Sequence, residues 1–226
     1  VGYFYYHGYE RYYRTEVDRQ LLAIAELKTD ELADWRRDRL GCAAVFFKNA
    51  AFSSLVRRHF DKPENAEAQS LLRAWLGQFQ TQLPYGRVFL LDARGISRMQ
   101  VPDETEPVAA HLPRDAAETL RSGKITFLDF HRDAPDSPIC LAILVPILDE
   151  QDGNRPLGVL ALRIDPATYL YPFICRWPTP SPTAETLLVR RDGDDALFLN
   201  ELRFQKDTAL MLRVPLTRKE MPSVMA

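Results

Sequence analysis

The sequence predicts an α+β fold in which a long N-terminal helix precedes an antiparallel five-stranded sheet and the start of a second sheet. Two observations support this prediction. Apolar residues recur at helical spacing through the first third of the chain, and a strand-turn-strand pattern occurs twice, at residues 86–97 and 185–199. Gly95 and Gly193 lie at the two turns, where they can supply the positive φ of a tight hairpin.

The N-terminal helix is predicted from an apolar stripe with steps of three, four and seven or eight residues. The stripe consists of Leu21, Ile24, Leu32, Trp35 and Cys42. A helix from the tyrosine-rich start to about residue 40 would be about 55–60 Å long at 1.5 Å per residue. Such a length favours packing along a domain and pairing with a second copy in a homodimer, where Lys28 would weaken or fix the register.

Seven aromatic residues crowd the first thirteen positions: Tyr3, Phe4, Tyr5, Tyr6, Tyr9, Tyr12 and Tyr13. Aromatic rings with a polar tip concentrate at membrane interfaces, so the cluster fits the aqueous end of a preceding membrane helix. A contact between helices of a dimer explains it equally well. Both interpretations stay open at the level of sequence.

The helical region continues to residue 83. Arg36, Arg37 and Arg39 occupy one and a half turns, a density that requires acidic partners or an anionic ligand nearby. A further helix over 65–83 is predicted to bury Leu71, Leu72, Trp75, Leu76 and Phe79. Pro84 is expected to end it.

Residues 86–165 alternate apolar strands with turn signals. After the first hairpin, a short helix is predicted over 114–121, followed by strands over 125–131, 139–148 and 157–164. The proline-rich segment 178–182 would be a stiff linker into the second hairpin. The predicted division is therefore a helical part over 1–83, a sheet module over 84–177, and a linker with the first part of a second module over 178–226.

Composition narrows the possible functions. The chain has 226 residues, is 46% apolar and carries a formal net charge of -2, which gives no electrostatic case for nucleic acid. The longest apolar run, 139–148, is too short to span a bilayer. Cys42, Cys140 and Cys175 lie among apolar residues and are too scattered for a disulfide framework or a zinc site. Both ends have the character of a fragment, such as an ectodomain of a membrane receptor.

The order of these segments resembles the extracytoplasmic double Cache (tandem PDC, PAS-like) sensor domain of bacterial histidine kinases and diguanylate cyclases. The resemblance rests on segments 35–41, 89–95, 122–124, 156–165, 185–193 and 198–203. It implies that the five-stranded sheet is a membrane-distal PAS-like module that binds a small ligand. It also implies a periplasmic or extracellular location, with transmembrane helices flanking the domain in the full-length protein.

A pocket in such a module lies between the sheet and the helices or loops that cover it. The candidate ligand-binding residues are Arg98, Asp129, His131, Arg163, Asp165 and Tyr169. The Tyr and Arg-x-Trp-Tyr pattern of amino-acid-binding double Cache domains is absent from the sequence, which argues against assuming an amino-acid ligand.

Neither a catalytic site nor a metal site is predicted. Asp129, His131 and Asp133 alternate along a strand and would share one face, which could suit a metal ion or acid-base chemistry. The favoured interpretation is nevertheless a solvated strand end, and His7, His59 and His111 have no metal-ligand spacing to one another. We therefore expect no cofactor and no enzymatic activity in this fragment.

The leading functional prediction is an extracytoplasmic sensor of a small molecule, most simply of a two-component histidine kinase, that signals through helix rearrangement in a dimer. The alternatives are the sensor of a diguanylate cyclase and a partner-driven dimerisation ectodomain without a small ligand. A third alternative is a cytoplasmic PAS-type domain that holds haem or flavin.

Overall fold

The computed structural model describes residues 2–82, 85–103, 108–178 and 181–225. The helices in these residues are α1 Gly2–Ala44, α2 Ala50–Asp61, α3 Ala66–Gln82, α4 Leu112–Ser122, α5 Leu170–Cys175 and α6 Pro222–Met225. The strands are β1 Tyr85–Asp92, β2 Ser97–Val101, β3 Thr126–Arg132, β4 Ile139–Asp149, β5 Arg155–Ile164, β6 Val189–Asp192, β7 Asp195–Phe198 and β8 Arg213–Pro215.

Five strands form an antiparallel sheet in the order β2-β1-β5-β4-β3, and three more form a second sheet in the order β6-β7-β8. This confirms the predicted α+β fold with a long first helix. The two hairpin turns also follow the prediction, because Gly95 and Gly193 have φ of 78° and 64°. Asp92 closes the first turn by accepting the backbone N–H groups of Arg94 and Ile96 at 2.9 and 3.0 Å.

Helix α1 is 43 residues long, about 65 Å at 1.5 Å per residue. Its C-terminal half packs on the main core through Leu32, Trp35 and Leu40. The N-terminal half leaves Leu21 half exposed, so the predicted stripe is buried only from its middle onward. Lys28 is buried on the stripe, and its Nζ donates to the Arg176 carbonyl at 2.8 Å, which is a contact within the chain.

The aromatic cluster is described only in part. The side chains of residues 1–8 lie outside the described residues, whereas Tyr9, Tyr12 and Tyr13 are exposed. None of the helices that the structure describes is long and apolar enough to cross a bilayer.

Helices α2 and α3 begin at asparagine caps. The side-chain oxygens of Asn49 and Asn65 accept the N–H groups of Phe52 and Ala68 at 3.0 and 3.1 Å. Of the face predicted for α3, Leu72 and Leu76 are fully buried, but Leu71 and Trp75 are 43% and 40% exposed. The predicted helix stop at Pro84 lies outside the described residues.

The main sheet has two covered faces. Helices α1, α2 and α3 cover one face, which we call the helix face, over a large apolar core that includes Phe52, Ile143 and Leu162. Helix α4 covers the other, the α4 face, over a smaller apolar cluster. The α4-face cluster comprises Phe89, Leu91, Leu112, Ala116, Leu144, Val159 and Ala161.

The second sheet joins the helix-face core through Leu197 and Leu199. The Tyr171 hydroxyl on α5 fastens this junction by donating to the Leu199 carbonyl at 2.6 Å. The apolar surroundings of the three cysteines in the sequence predict that all three are buried, but only Cys140 is. Cys42 is half-buried, Cys175 is exposed, and all three are free thiols.

Candidate functional site

Helix α4 brings a polar cluster onto the sheet. Its first turn contains Pro113, whose fixed φ suits a helix start, and Gly123 ends it with a φ of 63°. The residue before the helix is His111, so the start of α4 sets the position of an imidazole above the ends of β3 and β4.

Five side chains on the α4 face meet around one carboxylate, and we call them the Asp133 cluster: His111, His131, Asp133, Cys140 and Arg163. Asp133 Oδ1 lies 3.2 Å from His111 Nε2 and 3.4 Å from His131 Nε2. Asp133 Oδ2 pairs with Arg163 Nη1 at 3.2 Å. Cys140 Sγ completes the group at 3.4 Å from His131 Nε2 and 3.7 Å from Asp133 Oδ1.

Each imidazole ring also has a hydrogen-bonding partner at its Nδ1 atom. His111 Nδ1 lies 2.9 Å from Asp115 Oδ2, one helical turn along α4, and His131 Nδ1 lies 2.7 Å from the Asp129 carbonyl oxygen. The rings meet edge to face, with centroids 4.8 Å apart. Each Nε2 therefore points at Asp133.

The cluster strongly favours opposite charges on His131 and Asp133. Burial opposes protonation of His131, but Asp133, Cys140 and the Asp129 carbonyl outweigh it and raise the pKa of His131 to about 10. Burial also opposes ionisation of Asp133, but His131, Arg163 and His111 outweigh it and lower the pKa of Asp133 to about 2.

Two cavities adjoin the cluster. The partly open space between His111, His131, Asp133 and the sheet is about 20 Å³, room for one water molecule or one ion. A larger, open cavity of about 220 Å³ shares Cys140 and Arg163 with it and is also lined by Gly86, Arg87, Pro138, Ile139 and Asp165.

The predicted site residues divide into two groups. His131 and Arg163 lie together in the Asp133 cluster, and Asp165 lines the larger cavity. Asp165 also stabilises the turn after β5, because its carboxylate accepts the Ala167 N–H at 2.8 Å and the Thr168 hydroxyl at 3.3 Å.

Arg98, Asp129 and Tyr169 lie elsewhere. Arg98 pairs with Asp92 at 2.7 Å beside His59 of α2, on the helix face. Asp129 pairs with Arg190 of the second sheet at 2.8 Å. Tyr169 is half exposed and stacks on Phe173, with ring centroids 5.6 Å apart, in a cavity beside α1.

Two β-bulges explain the placement of Arg98 and Asp129. Leu90 pairs with Met99 but Leu91 pairs with Ser97, so Arg98 is an extra residue in β2. In β3, Leu128 pairs with Ala142 and His131 with Cys140, which leaves two residues opposite one. Strict alternation would have put Asp129 on the face of His131; the bulge separates them, so the shared face predicted for Asp129, His131 and Asp133 does not form.

Sequence reasoning missed His111, Cys140 and Arg87. His111 was set aside because its spacing to other histidines carries no motif, and Cys140 reads as a buried apolar residue. One local signal was available, since His111 and Asp115 are four residues apart at the start of a helix, where their side chains meet.

Comparisons of the sequence with protein-family models and with curated proteins find no match. Solved structures do match. The ligand-binding domain of the Pseudomonas fluorescens chemoreceptor CtaA, in complex with L-serine, superposes with a TM-score of 0.54 at 18% identity, covering 88% of this chain and 77% of that chain. The chain has the PDC/Cache sensor fold.

A second such structure is the ligand-binding domain of the Pseudomonas aeruginosa PAO1 amino-acid chemoreceptor PctB with L-Gln. Its TM-score is 0.55 at 16% identity, covering 83% of this chain and 69% of that chain. The sensor domain of the V. cholerae histidine kinase DctB is more distant, with a TM-score of 0.46 and 12% identity over 66% of this chain and 57% of that chain. At these identities, the TM-scores above 0.5 establish the fold alone.

Proposed function

We propose that this chain is the extracytoplasmic ligand-sensing domain of a transmembrane signalling receptor, and that it detects a small molecule at the α4 face. The observation that carries this proposal is the convergence of Arg87 of β1, Arg163 of β5 and Asp165, which follows β5, on a cavity of about 220 Å³. Few polar groups directed into a partly apolar concavity are typical of ligand sites.

The lining of the cavity favours a small ligand with an acidic group. Arg87 and Arg163 are guanidinium donors in the lining, and Asp165 offers an acceptor at one edge. Guanidinium groups bind carboxylates and phosphates through charge-assisted hydrogen bonds. The volume is below the roughly 300–1,000 Å³ of sites for drug-sized molecules, so the ligand is small.

Transmission is proposed to run through α1. The C-terminal half of this helix packs on the sheet core, and Lys28 ties it to the connector after α5 through the Arg176 carbonyl. The proposed division is a helical part over 1–83, a membrane-distal module over 84–177 and part of a proximal module over 178–226. Ligand binding would bias the position of α1 in a homodimer and so reach the membrane.

The output domain stays a prediction. A histidine kinase was expected from the sequence, whereas the CtaA and PctB structures, whose TM-scores exceed 0.5, are chemoreceptor domains. The ligand-sensing role is common to both receptor classes. The proposal therefore concerns the sensing step and does not depend on which output follows.

A ligand screen tests the sensing role. Thermal melting of metal-free protein against small carboxylates, amino acids, phosphates, amines and sugars should show a saturable rise in Tm with one class, because a ligand at a hundred times its Kd adds about 2.7 kcal/mol. Calorimetry then gives the Kd. No shift with any class in folded protein contradicts the proposal.

Arg163→Gln should weaken binding of that ligand about 10- to 100-fold, the loss of one charge-assisted interaction. Arg155→Gln is the matched control, since Arg155 lies at the other end of β5, is 56% exposed and pairs with Asp152. Equal effects of the two substitutions would locate the ligand elsewhere.

A substitution on α1 tests the proposed homodimer. Leu22, 61% exposed, lies on the part of α1 that leaves the core. Leu22→Glu should lower the dimer fraction in light scattering by introducing a charge at an apolar contact. Leu71→Glu, at a comparably exposed leucine of α3, is the control and should leave that fraction unchanged. A dimer insensitive to Leu22→Glu excludes this part of α1 as the interface.

A further inference from the structure

Three side chains that commonly bind metals meet in the Asp133 cluster. One ligand atom each from His111, His131 and Asp133 lies within 4.8 Å of the others. The separations of Asp133 Oδ1 from the two Nε2 atoms are 3.2 and 3.4 Å. In a tetrahedral zinc site with bonds of 2.0–2.3 Å, neighbouring ligand atoms are about 3.3–3.8 Å apart, so these atoms could hold one ion with small adjustments.

The groups that contact Nδ1 of His111 and of His131 are of the kind found behind metal-binding histidines. A metal-binding imidazole usually donates its other N–H to a carboxylate or a backbone carbonyl, which fixes the tautomer and aims the ring. His111 Nδ1 has the Asp115 carboxylate at 2.9 Å, and His131 Nδ1 has the Asp129 carbonyl at 2.7 Å. With these N–H groups on Nδ1, the lone pairs of both Nε2 atoms are directed at the same point.

Hydrogen bonds alone explain the placement of the two imidazole rings less well than a bound metal ion does. Each ring faces an acceptor at both nitrogens, and a neutral imidazole has only one N–H to donate. Cys140 Sγ also lies 3.4 Å from His131 Nε2, and Arg163 adds a cation beside Asp133. A divalent ion coordinated by both Nε2 atoms would let each ring donate its one N–H through Nδ1 to its outer acceptor.

The remaining features also fit an ion. The space of about 20 Å³ accepts one ion but no organic molecule. Arg163 occupies Asp133 Oδ2 and leaves Oδ1 for the centre of the cluster. Cys140 Sγ lies 3.4 Å from His131 Nε2 and 3.7 Å from Asp133 Oδ1, within reach of the same position.

We propose that His111, His131 and Asp133 bind one divalent transition-metal ion of the zinc class, with Cys140 as the fourth ligand. Imidazole and thiolate ligands favour Zn²⁺, Co²⁺ or Ni²⁺ over Mg²⁺ and Ca²⁺, which prefer oxygen. The ligands come from the start of α4, from β3 and the residues after it, and from β4. The ion therefore links α4 to the sheet.

This inference deepens the proposed function and rests on it for a signalling role, but metal binding itself is independent of that role. If the receptor senses a small organic ligand, the ion fixes α4 over the adjoining cavity, which shares Cys140 and Arg163 with the metal site. The ion would then change the affinity for that ligand.

The first test uses a Cys42→Ser, Cys175→Ser protein, in which Cys140 is the only thiol among the three cysteines. Titration of metal-free protein with Zn²⁺ alone should show one tight equivalent and a raised Tm. Co²⁺ should give tetrahedral ligand-field bands and a sulfur-to-cobalt charge-transfer band. No stoichiometric binding, or only the spectrum of octahedral Co²⁺, overturns the site; tetrahedral bands without charge transfer overturn Cys140 as a ligand.

Substitutions locate the ion. His111→Ala and His131→Ala should each lose the equivalent, whereas His59→Gln, at a histidine of the helix face, should keep it. Should the ligand variants fail to fold, Asp115→Asn tests the same site through an outer partner and should weaken Zn²⁺ binding about 10- to 100-fold. Unchanged binding in Asp115→Asn, or equal loss in His59→Gln, overturns the proposal.

The metal proposal and the sensing proposal fail separately. The screen of organic ligands is run on metal-free protein and again with one equivalent of Zn²⁺. An organic ligand that binds while Zn²⁺ does not overturns the metal site alone. One equivalent of Zn²⁺ bound at the cluster, with no organic ligand in either condition, supports the metal site and overturns the sensing of a small organic molecule.

Discussion

The two faces of the main sheet differ in what they bury. The helix face is filled by large apolar side chains, including Phe52, Leu160 and Leu162, which are inaccessible to solvent. The α4 face has a smaller apolar cluster and carries charged groups around Asp133. Apolar burial on the helix face supplies stability, whereas the α4 face places polar groups beside a cavity, where we propose that the ligand binds.

The pKa values of two histidines, one on each face, are shifted in opposite directions. Burial, the largest influence on His59 of the helix face, lowers its pKa, and the charges of Arg98 and Arg73 lower it further against one backbone hydrogen bond. The pKa of His131 on the α4 face is raised, because Asp133 and its other partners outweigh burial. An acidic neighbour reverses the effect of burial on the same residue type.

Substitutions at two adjacent residues of β5 test this difference between the faces, and one of them has the largest effect on stability that we expect. Leu162 is fully buried in the helix-face core, so Leu162→Ala should lower the free energy of unfolding by about 2–5 kcal/mol. Arg163→Gln, one residue along on the α4 face, should cost only about 1 kcal/mol. Urea unfolding of both variants measures the difference. Equal losses would show that the two faces share the burden of stability.

Gly95→Ala tests the α4 face through the contact between the first hairpin turn and the start of α4. Gly95 has a φ of 78°, and an added Cβ would lie 2.7 Å from Pro113 Cα at the start of α4. We expect a loss of about 1–3 kcal/mol from strain and overpacking, together with weaker Zn²⁺ binding because His111 moves with α4. The matched control is Gly193→Ala, at a φ of 64° in the second hairpin, where nothing lies within 4 Å of the added Cβ. Full Zn²⁺ binding in Gly95→Ala would show that α4 does not position the cluster.

Asp92→Asn tests whether Arg98 has a structural role. Burial opposes ionisation of Asp92, but the Ile96 N–H, the Arg98 side chain and the Arg94 N–H outweigh it and lower its pKa below 3.8. A lowered pKa stabilises the fold above about pH 4, and that contribution is lost as pH falls through the folded pKa.

The substitution should therefore cost about 1 kcal/mol at pH 7 and make stability less dependent on pH below 4. Urea unfolding at pH 7 and pH 3 measures both. Asp152→Asn, at an exposed acid in the turn before β5, controls for the lost charge. If Arg98 instead binds the ligand, Asp92→Asn will change ligand affinity more than stability.

At Lys28 we expect an effect on stability and none on binding at the α4 face. Its buried Nζ donates to the Arg176 carbonyl, so Lys28→Met should lose one hydrogen bond while keeping most of the apolar contact, at a cost of about 1 kcal/mol. Ligand and Zn²⁺ affinities at the α4 face should not change. The control is Lys48→Met, which removes a lysine after α1 that lies over the Phe47 ring. A change in Zn²⁺ affinity in Lys28→Met would reveal coupling between the two faces.

Much of the fold was predictable because its signals are local. Apolar runs between turn residues located β3, β4 and β5 to within two residues, and the stop at Ser122 and Gly123 helped to locate α4 to within two residues. The two turn glycines located both hairpins. The buried face of α3 was predicted less well: Leu72 and Leu76 are buried, but Leu71 and Trp75 remain 43% and 40% exposed, because periodicity does not fix how wide a stripe the neighbouring elements cover.

The sequence by itself determined the long first helix, the five strands of the main sheet in chain order and the two hairpins, and it offered His131 and Arg163 of the cluster as candidates; it did not predict β8 or α6. Only the tertiary structure decided which side chains share a face. Single-residue bulges redirected Arg98 and Asp129, and a bulge depends on how two strands pair, which one strand cannot encode. The packing of α4 then brought His111 to His131, 20 positions apart, because the burial of Leu112 and Ala116 holds the helix on the sheet.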